Sequence, residues 1–186
     1  MIERKTQQLQ YATFAGGCFW CMAPAFENIE GVQSVEVGFS GGIIDDPHYE
    51  QVCLGNTGHY EVVRVAYEES KCSYTSLLYV YWKQIDPTDA DGQFSDRGES
   101  YKTAIFYHNE DQKNLAIKSK EMLQKANIFA DSIKTEIIPA PQFFAAEADH
   151  QNYHQINPDF YCQYRNESGR DQFLENVWKD LTFGDE

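Results

Sequence analysis

The chain has 186 residues with 29 acidic and 15 basic side chains, which give a formal net charge of −14 at pH 7. Because the basic residues are dispersed along the chain, nucleic acid and anionic membranes are excluded as partners. The length predicts one domain over residues 1–186, and the sequence has neither a signal peptide nor an apolar run of membrane-spanning length, so a cytoplasmic protein is expected.

The first half of the chain alternates strand and helix patterns. Residues 10–15 predict a short strand that ends at two glycines, and residues 18–29 have apolar side chains at helical spacing. Pro24 lies inside this helix, so the helix either starts near Cys21 or has an irregular first turn. A strand is expected at 32–39. Residues 43–58 contain turn signals and predict a long loop, which in a compact domain usually carries function.

Strand and helix patterns continue in the second half. Apolar residues from Tyr74 to Ile85 repeat at i, i+3, i+4, i+7, i+8 and i+11, which predicts an amphipathic helix with Ser73 as its N-cap. The other predicted elements are a strand at 60–67, a loop at 89–98, a strand at 101–107, a helix at 110–127 and a strand at 135–138.

This order of elements is a split β-α-β pattern. It predicts an α+β fold, a two-layer sandwich with a mixed sheet and a ferredoxin-like core, over about residues 10–140. The residues that follow, 141–186, are aromatic and polar without a clear period. They predict a long irregular C-terminal wrap with one short helix at about 147–155.

Cys18 follows Gly16 and Gly17 at the start of the predicted helix, where unpaired amide groups and the helix dipole favour a thiolate. A nucleophilic sulfur is therefore the first hypothesis. Cys21 completes a Cys-x-x-Cys spacing, which is typical of thiol–disulfide chemistry and also occurs in structural roles. The odd total of five cysteines argues against a closed disulfide framework and favours nucleophilic, redox or metal use.

The two aromatic residues between these cysteines are Phe19 and Trp20. If their rings are exposed at a helix start, they form an apolar cup for a methyl group or a thioether; otherwise they belong to the core. Cys53 and Cys72 are interpreted as structural residues. Cys162 lies among aromatic residues of the C-terminal wrap, where it either belongs to the core or reaches the Cys-x-x-Cys pair.

Two further patterns involve titratable side chains. Glu61 has the parity of an otherwise apolar strand face, so it lies at the rim, is paired, or is neutral. Glu147, His150 and His154 have i, i+3 and i+7 spacing, which suits either metal ligands on one helical face or a hydrogen-bonded surface. The hydrogen-bonded surface is favoured, and no metal site is predicted. A metal-binding module built from the Cys-x-x-Cys pair and the two histidines is the non-enzymatic alternative.

Several segments together resemble peptide methionine sulfoxide reductase, type A. The similarity covers about residues 11–107, and residues 147–158 are also similar. The segments are Gly17-Cys18-Phe19-Trp20, Gly31-Val32, Gly41-Gly42, Tyr49-Glu50-Gln51-Val52-Cys53, Gly55-Asn56-Thr57-Gly58-His59-Tyr60-Glu61, Asp86-Pro87-Thr88 and residues 93–104. A single four-residue motif is weak, but this many in the same order are a strong signal.

The resemblance implies a role for individual residues. They are the nucleophile Cys18, the aromatic pair Phe19 and Trp20 that binds the sulfoxide methyl group, the acid Glu61, the hydrogen-bond donors Tyr49 and Tyr101, and the substrate-binding residue Asp96. A sulfoxide is attacked slowly unless its oxygen is protonated, so the site needs an acid beside a thiolate. Burial on an apolar strand face would raise the pKa of Glu61 and keep it protonated.

The implied reaction is thiol-dependent reduction of methionine S-sulfoxide, in proteins and peptides or as the free amino acid, in the repair of oxidised proteins. It would leave a sulfenic acid on Cys18, which a second thiol condenses to a disulfide. The resemblance implies no bound cofactor, thioredoxin or a small thiol as the external reductant, and a monomer. The alternative is a general thiol–disulfide oxidoreductase, which would use the same two cysteines without needing Glu61.

The chain departs from the family pattern around the second thiol. Cys21 stands where glycine is usual, Ala23 stands where glutamate is frequent, and no cysteine follows Cys162. Cys21 is the preferred resolving cysteine, because a Cys-x-x-Cys pair can close without a large motion. Cys162 is the second choice and requires the C-terminal wrap to lie over the site. Direct reduction of the sulfenic acid by a small thiol is the third.

Overall fold

The computed structural model describes residues 9–179. Its strands are β1 (Leu9–Gly16), β2 (Val32–Ser40), β3 (Tyr60–Glu68), β4 (Gly92–Gln93), β5 (Asp96–Arg97), β6 (Thr103–Tyr107), β7 (Glu136–Pro139) and β8 (Phe144–Ala145). The α-helices are α1 (Phe19–Met22), α2 (Pro24–Glu27), α3 (Tyr49–Cys53), α4 (Tyr74–Trp82), α5 (Glu110–Lys125), α6 (Tyr153–Ile156), α7 (Pro158–Ser168) and α8 (Arg170–Trp178). Two short 3-10 helices lie at Glu99–Tyr101 and Ala148–His150.

Six strands form one mixed sheet in the order β7-β6-β1-β3-β2-β8. Strand β1 pairs antiparallel with β3 and β6, β2 pairs antiparallel with β3 and β8, and β6 pairs parallel with β7. The inner order β6-β1-β3-β2 is that of the split β-α-β arrangement, so the predicted α+β fold with a mixed sheet is confirmed. Strands β4 and β5 form a separate two-stranded hairpin.

The main core lies between the sheet and the helices on one of its faces. Alternate residues of the strands point to this face, and Phe14 of β1 stacks on Phe26 of α2 and on Tyr81 of α4 at 5.5 and 4.9 Å between ring centroids. The apolar side chains predicted for α4 are buried there. A smaller cluster on the opposite face includes Val62 and Phe106. The sheet thereby holds β1 and β3 rigidly side by side.

Two predicted elements have different boundaries. The helix expected at 18–29 is split into α1 and α2, because the proline at the first position of α2 has no N–H to donate to the preceding turn. The loop expected at 43–58 contains the five-residue helix α3. Within residues 9–179, no helix is both long and apolar enough to cross a membrane.

The C-terminal segment is more regular than the predicted wrap, since α6, α7 and α8 make most of it helical. It is fixed to the core by two arginines. Arg165 donates to the carbonyl oxygen of Cys21 at 2.9 Å, and the buried guanidinium of Arg170 donates to the carbonyl oxygens of Gly16 at 3.0 Å and Gln84 at 2.6 Å. Helices α7 and α8 therefore form a wall beside the start of α1, and these two helices are called the C-terminal wall below. Polar residues make these contacts, so apolar periodicity gave no sign of them.

Candidate active site

Cys18 lies at the junction between β1 and α1. The chain turns at Gly17, which has a φ of +80°, and a Cβ atom there would lie 2.6 Å from Cβ of Gln93 and 2.9 Å from a guanidinium nitrogen of Arg170. Cys18 is the N-cap of α1, and its carbonyl oxygen accepts hydrogen bonds from the next turn. Its side chain is buried. The glycine therefore lets the sulfur lie directly beneath the C-terminal wall.

The thiols of Cys18 and Cys21 lie close enough to shift each other's pKa. Burial raises the pKa of Cys18 above its ordinary value, and the interaction with Cys21 raises it further. The same interaction lowers the pKa of Cys21 to about 7 against the effect of burial, and the charges of Arg170 and Arg165 assist. Burial therefore opposes a thiolate at Cys18 in the resting site, and the four-residue α1 offers it only a small dipole. The thiolate that the sequence predicts at Cys18 stays a prediction.

Glu61 lies near the start of β3, beside this thiol pair. It is only 1 % exposed, and its Oε2 accepts a hydrogen bond of 2.9 Å from the backbone N–H of Phe19. Burial raises the pKa of Glu61 to about 8, partly offset by that hydrogen bond, with a further rise from the charges of Asp96 and Cys21. The carboxyl group is therefore protonated at neutral pH, as expected for a buried residue on this strand face.

Tyr49 and Tyr101 face Glu61 from two different segments. Tyr49 begins α3, and its backbone N–H donates to Oε1 of Glu147 at 3.1 Å. Tyr101 ends the first 3-10 helix, and its hydroxyl lies 3.7 Å from Sγ of Cys53. Burial raises the pKa of both phenols above the ordinary value, followed by the charge of Glu61. Both therefore keep their protons and can donate hydrogen bonds.

Cys53 is not the buried structural residue that the sequence predicts. It is exposed at the end of α3, and its sulfur lies 3.7 Å from the hydroxyl of Tyr101. The sequence gives a signal for this position, because Cys53 follows Tyr49 by one helical turn. The other cysteine interpreted as structural, Cys72, is buried as expected.

Asp96 lies in the β4–β5 hairpin and joins the site through a residue of the C-terminal wall. Tyr164 of α7 donates a hydrogen bond to Oδ2 of Asp96, and burial, followed by the charge of Cys18, raises the pKa of its phenol. Burial raises the pKa of Asp96, opposed by the hydrogen bond from Tyr164 and by the charge of Arg170. Tyr164 and Arg170 could not be found from the sequence, since nothing local relates either residue to a cysteine about 150 positions earlier.

The aromatic pair is less exposed than a cup would require. Phe19 is 1 % exposed and packs in the core, which is the second of the two alternatives for this residue. Trp20 is partly buried, and its ring stacks on Tyr153 with 3.9 Å between ring centroids. His150 lies between Trp20 and Tyr49, with its ring centroid 5.7 and 4.0 Å from theirs. Trp20, Tyr49, His150 and Tyr153 thus form one aromatic cluster next to Cys18.

The three residues with metal-ligand spacing do not converge. Glu147 contacts His48 and the start of α3, His150 belongs to the aromatic cluster, and His154 pairs with Glu27 at 3.1 Å. In the described part of the chain, no group of three or more His, Cys, Asp or Glu side chains is arranged to hold a metal ion. These contacts match the hydrogen-bonded surface that the sequence favours.

Cys162 lies on α7 but is exposed. Tyr164 and Arg165 of α7 form hydrogen bonds with Asp96 and with the backbone of Cys21, whereas the thiol of Cys162 is exposed. The C-terminal segment therefore lies over the Cys18 site, which is the arrangement that Cys162 would need as a resolving cysteine. The side chain that it brings there, however, is the phenol of Tyr164 and not the thiol of Cys162.

Comparison with known proteins gives consistent matches. Residues 10–182 match the family described as Peptide methionine sulfoxide reductase. The chain is 50% identical over 172 residues to Peptide methionine sulfoxide reductase MsrA of Bacillus licheniformis, which covers 92% of this chain and 95% of that protein. The structure of reduced Mxr1 from Saccharomyces cerevisiae is 28% identical with a TM-score of 0.75, covering 83% of this chain and 88% of that one. Mxr1 in complex with Trx2 is similar in fold, with a TM-score of 0.55 at 21% identity over 82% and 90% of the two chains.

These matches confirm the expected enzyme class, an oxidoreductase that reduces methionine sulfoxide with thiols, and they do not favour a general thiol–disulfide oxidoreductase. The match covers the sheet, the Cys18 site and the C-terminal wall alike. By sequence and by fold, this chain belongs to the peptide methionine sulfoxide reductase family.

Proposed function

We propose that Cys18 attacks the sulfur of a methionine sulfoxide while Glu61 protonates the sulfoxide oxygen. One observation carries this proposal: a buried carboxyl group with a pKa of about 8 is tied by a 2.9 Å hydrogen bond to the first residue after the buried Cys18. An acid that keeps its proton at neutral pH is what sulfoxide reduction requires. Tyr49 and Tyr101 donate further hydrogen bonds to the oxygen, and Asp96 helps to bind the substrate.

The first step transfers one oxygen atom. Attack forms a transient bond between Cys18 Sγ and the substrate sulfur. The oxygen then moves to Cys18 Sγ as this bond and the S–O bond break, and the substrate leaves as methionine. The substrate sulfur is reduced by two electrons and Cys18 is oxidised by two electrons to a sulfenic acid. Trp20 and Phe19 supply apolar contacts for the methyl group, with Trp20 as the accessible member of the pair.

Cys21 resolves the sulfenic acid in the second step. Its interaction with Cys18 lowers its pKa to about 7, so that a large fraction of it is thiolate at neutral pH. Attack on the sulfenic sulfur forms the Cys18–Cys21 disulfide and releases water. A thioredoxin-type dithiol or a small thiol then reduces the disulfide. Mxr1 is a relative that forms a complex with Trx2, which supports the dithiol.

The proposed substrate class and oligomeric state are those expected for a methionine sulfoxide reductase. The chain acts on the S epimer of methionine sulfoxide in oxidised proteins and peptides, without a bound cofactor, as a monomer in the cytoplasm. Residues of the core at about 10–140 and of the segment 141–186 line the same site, which supports one functional domain over the whole chain.

Single-turnover reduction tests the proposed function. Pre-reduced protein mixed with a methionine S-sulfoxide peptide and no reductant should form one methionine per chain and lose two thiols. Methionine with the loss of one thiol would retain the reductase and discard the internal resolving cysteine. No methionine, together with rapid exchange on a model disulfide, would overturn the proposal.

Two serine variants test the resolving cysteine. Cys21→Ser should still form one methionine but no disulfide, so its turnover with thioredoxin should fall by about 10²-fold or more. Cys162→Ser, on the exposed part of α7, is the matched control and should react like the wild type. In the wild type, disulfide formation should accelerate as the pH rises, because the thiolate of Cys21 is the attacking form. A Cys18–Cys162 disulfide found by peptide mapping would reverse the assignment.

A further inference from the structure

Glu147 contacts the loop that carries Tyr49, and the proposed reaction does not use its carboxylate. It lies between β8 and the second 3-10 helix. Its Oε1 accepts a hydrogen bond of 3.1 Å from the backbone N–H of Tyr49 and lies 3.2 Å from Nδ1 of His48. Glu147 thus contacts the backbone of a residue whose phenol is assigned to the sulfoxide oxygen.

Helix α3 depends on such a contact because it is short. The first four N–H groups of an α-helix have no partner within the helix, and a five-residue helix forms few internal hydrogen bonds. Its buried residue, Val52, fixes the second half of α3 in the core. Tyr49 lies at the other end, where its unpaired N–H meets the carboxylate of Glu147. The carboxylate therefore holds the end of α3 that carries the phenol.

The segment that carries Glu147 is itself fixed to the sheet. Ala146, on one side of Glu147, donates its N–H to the carbonyl oxygen of Val37 in β2 at 3.0 Å. Gln151, on the other side, accepts with its side chain from the N–H of Val37 at 3.0 Å and donates to the carbonyl oxygen of Val37 at 2.8 Å. Both sides of Glu147 are thus bound to one residue of β2, which gives the carboxylate a defined position before substrate binds.

The same segment also contacts the ring of Tyr49. This ring stacks on Phe19 and Trp20, the two residues after the nucleophile, with 6.0 and 5.9 Å between ring centroids. The ring of His150 lies 4.0 Å from that of Tyr49, and the backbone N–H of His150 donates to the carbonyl oxygen of Glu147 at 3.0 Å. The backbone and the ring of Tyr49 are therefore held by neighbouring residues of one segment.

We propose that Glu147 is a positioning residue that holds the phenol of Tyr49 where it donates its hydrogen bond to the sulfoxide oxygen. This inference rests on the proposed function and names what orients one of its donors. A hydrogen-bond donor lowers the barrier most when it is oriented before the reaction, because no reorganisation is then needed as charge develops on the oxygen. Removal of the carboxylate should therefore slow the attack on the sulfoxide and leave substrate binding nearly unchanged.

The test compares Glu147→Ala, Tyr49→Phe and the double variant of the full chain in single turnovers at saturating peptide. Each single variant should slow methionine formation by about 10-fold, with the peptide concentration at half-maximal rate within about 2-fold of that of the wild type. Because Glu147 acts through the Tyr49 hydroxyl, the double variant should be no slower than Tyr49→Phe. Defects that multiply in the double variant would overturn the inference, because Glu147 would then act independently of Tyr49.

Two further variants separate the hydrogen bond from the charge. Glu147→Gln keeps an oxygen that can accept from the N–H of Tyr49, so its rate should lie within about 3-fold of that of the wild type. Asp149→Ala removes an exposed carboxylate from the adjoining 3-10 helix and should keep the wild-type rate. An equal loss of rate in Asp149→Ala and Glu147→Ala would assign the effect to local negative charge and overturn the inference.

Amide hydrogen exchange at Tyr49 separates this inference from the proposed function, because the measurement requires no turnover. Glu147→Ala should accelerate exchange of this amide by at least about 10-fold, whereas exchange of the amides of β3 should not change. Unchanged exchange at Tyr49 would overturn the inference. Faster exchange in a protein that reduces no sulfoxide would show that Glu147 holds Tyr49 while the proposed function fails.

Discussion

A Cys18→Ser variant is expected to form no methionine in a single turnover, a loss of at least about 10⁴-fold relative to the wild type. The reaction moves an oxygen atom onto the attacking atom, and a hydroxyl oxygen cannot accept it. The change is nearly isosteric. It also leaves the hydrogen bond between Phe19 and Glu61 in place, because the backbone supplies the donor. Loss of activity therefore reports the sulfur and not the fold.

Cys72→Ser is the matched control for this variant. Cys72 is equally buried, but it lies just before α4 and its thiol contacts the carbonyl oxygen of Ser73. The control should reduce the sulfoxide at the wild-type rate, with at most a lower melting temperature. If Cys18→Ser instead formed methionine, peptide mapping of the oxidised thiol would show whether Cys21 or Cys53 is the nucleophile, and the assignment of Cys18 would be wrong.

The sheet and its helices could be predicted because their patterns are local. Alternation in β3 and the helical period of α4 come from apolar side chains that all face one core, so the sequence displays the burial directly. Helices α7 and α8 could not be predicted in this way. Their contacts with α1 are made by Arg165, Arg170 and Tyr164, whose partners are backbone carbonyls and a carboxylate far along the chain.

The site also contains some residues that could be predicted from the sequence and some properties that could not. Cys18 and Glu61 could be found because each differs from the residues around it. Cys18 is a reactive sulfur at a helix start, and Glu61 is a carboxyl group on an otherwise apolar strand face. The lowered pKa of Cys21 could not be predicted, since it depends on Cys18 and on two arginines from the C-terminal segment. The partial covering of Trp20 by Tyr153 likewise follows from the path of residues 150–164, which no local pattern defines.

Replacing Glu61 with glutamine should slow attack on the sulfoxide by about 10²-fold or more at pH 7 and change its pH dependence. In the wild type the acid is active while protonated, so the rate of attack should fall as the pH rises through about 8. The amide keeps an acceptor for the N–H of Phe19 but has no proton to give. The rate for Glu61→Gln should therefore be low at all pH values without a decline near pH 8. An unchanged decline near pH 8 in this variant would assign it to another group.

The same substitution should make the protein more stable at alkaline pH. In the unfolded chain Glu61 ionises near its ordinary pKa of 4.5, whereas in the folded chain it keeps its proton up to about 8. The folded state then binds more protons across this interval, so wild-type stability falls as the pH rises from about 4.5 to about 8 and stays low above it. Glutamine removes that loss, so the melting temperature of Glu61→Gln should exceed that of the wild type at pH 9 by more than at pH 5.

Glu68→Gln, at the other end of β3, where the carboxylate is paired with Lys71, is the control and should show no such gain. A variant that gains stability at high pH and loses activity identifies a carboxyl group that is held neutral for catalysis, whereas a loss of stability at every pH would mean that Glu61 only supports the fold.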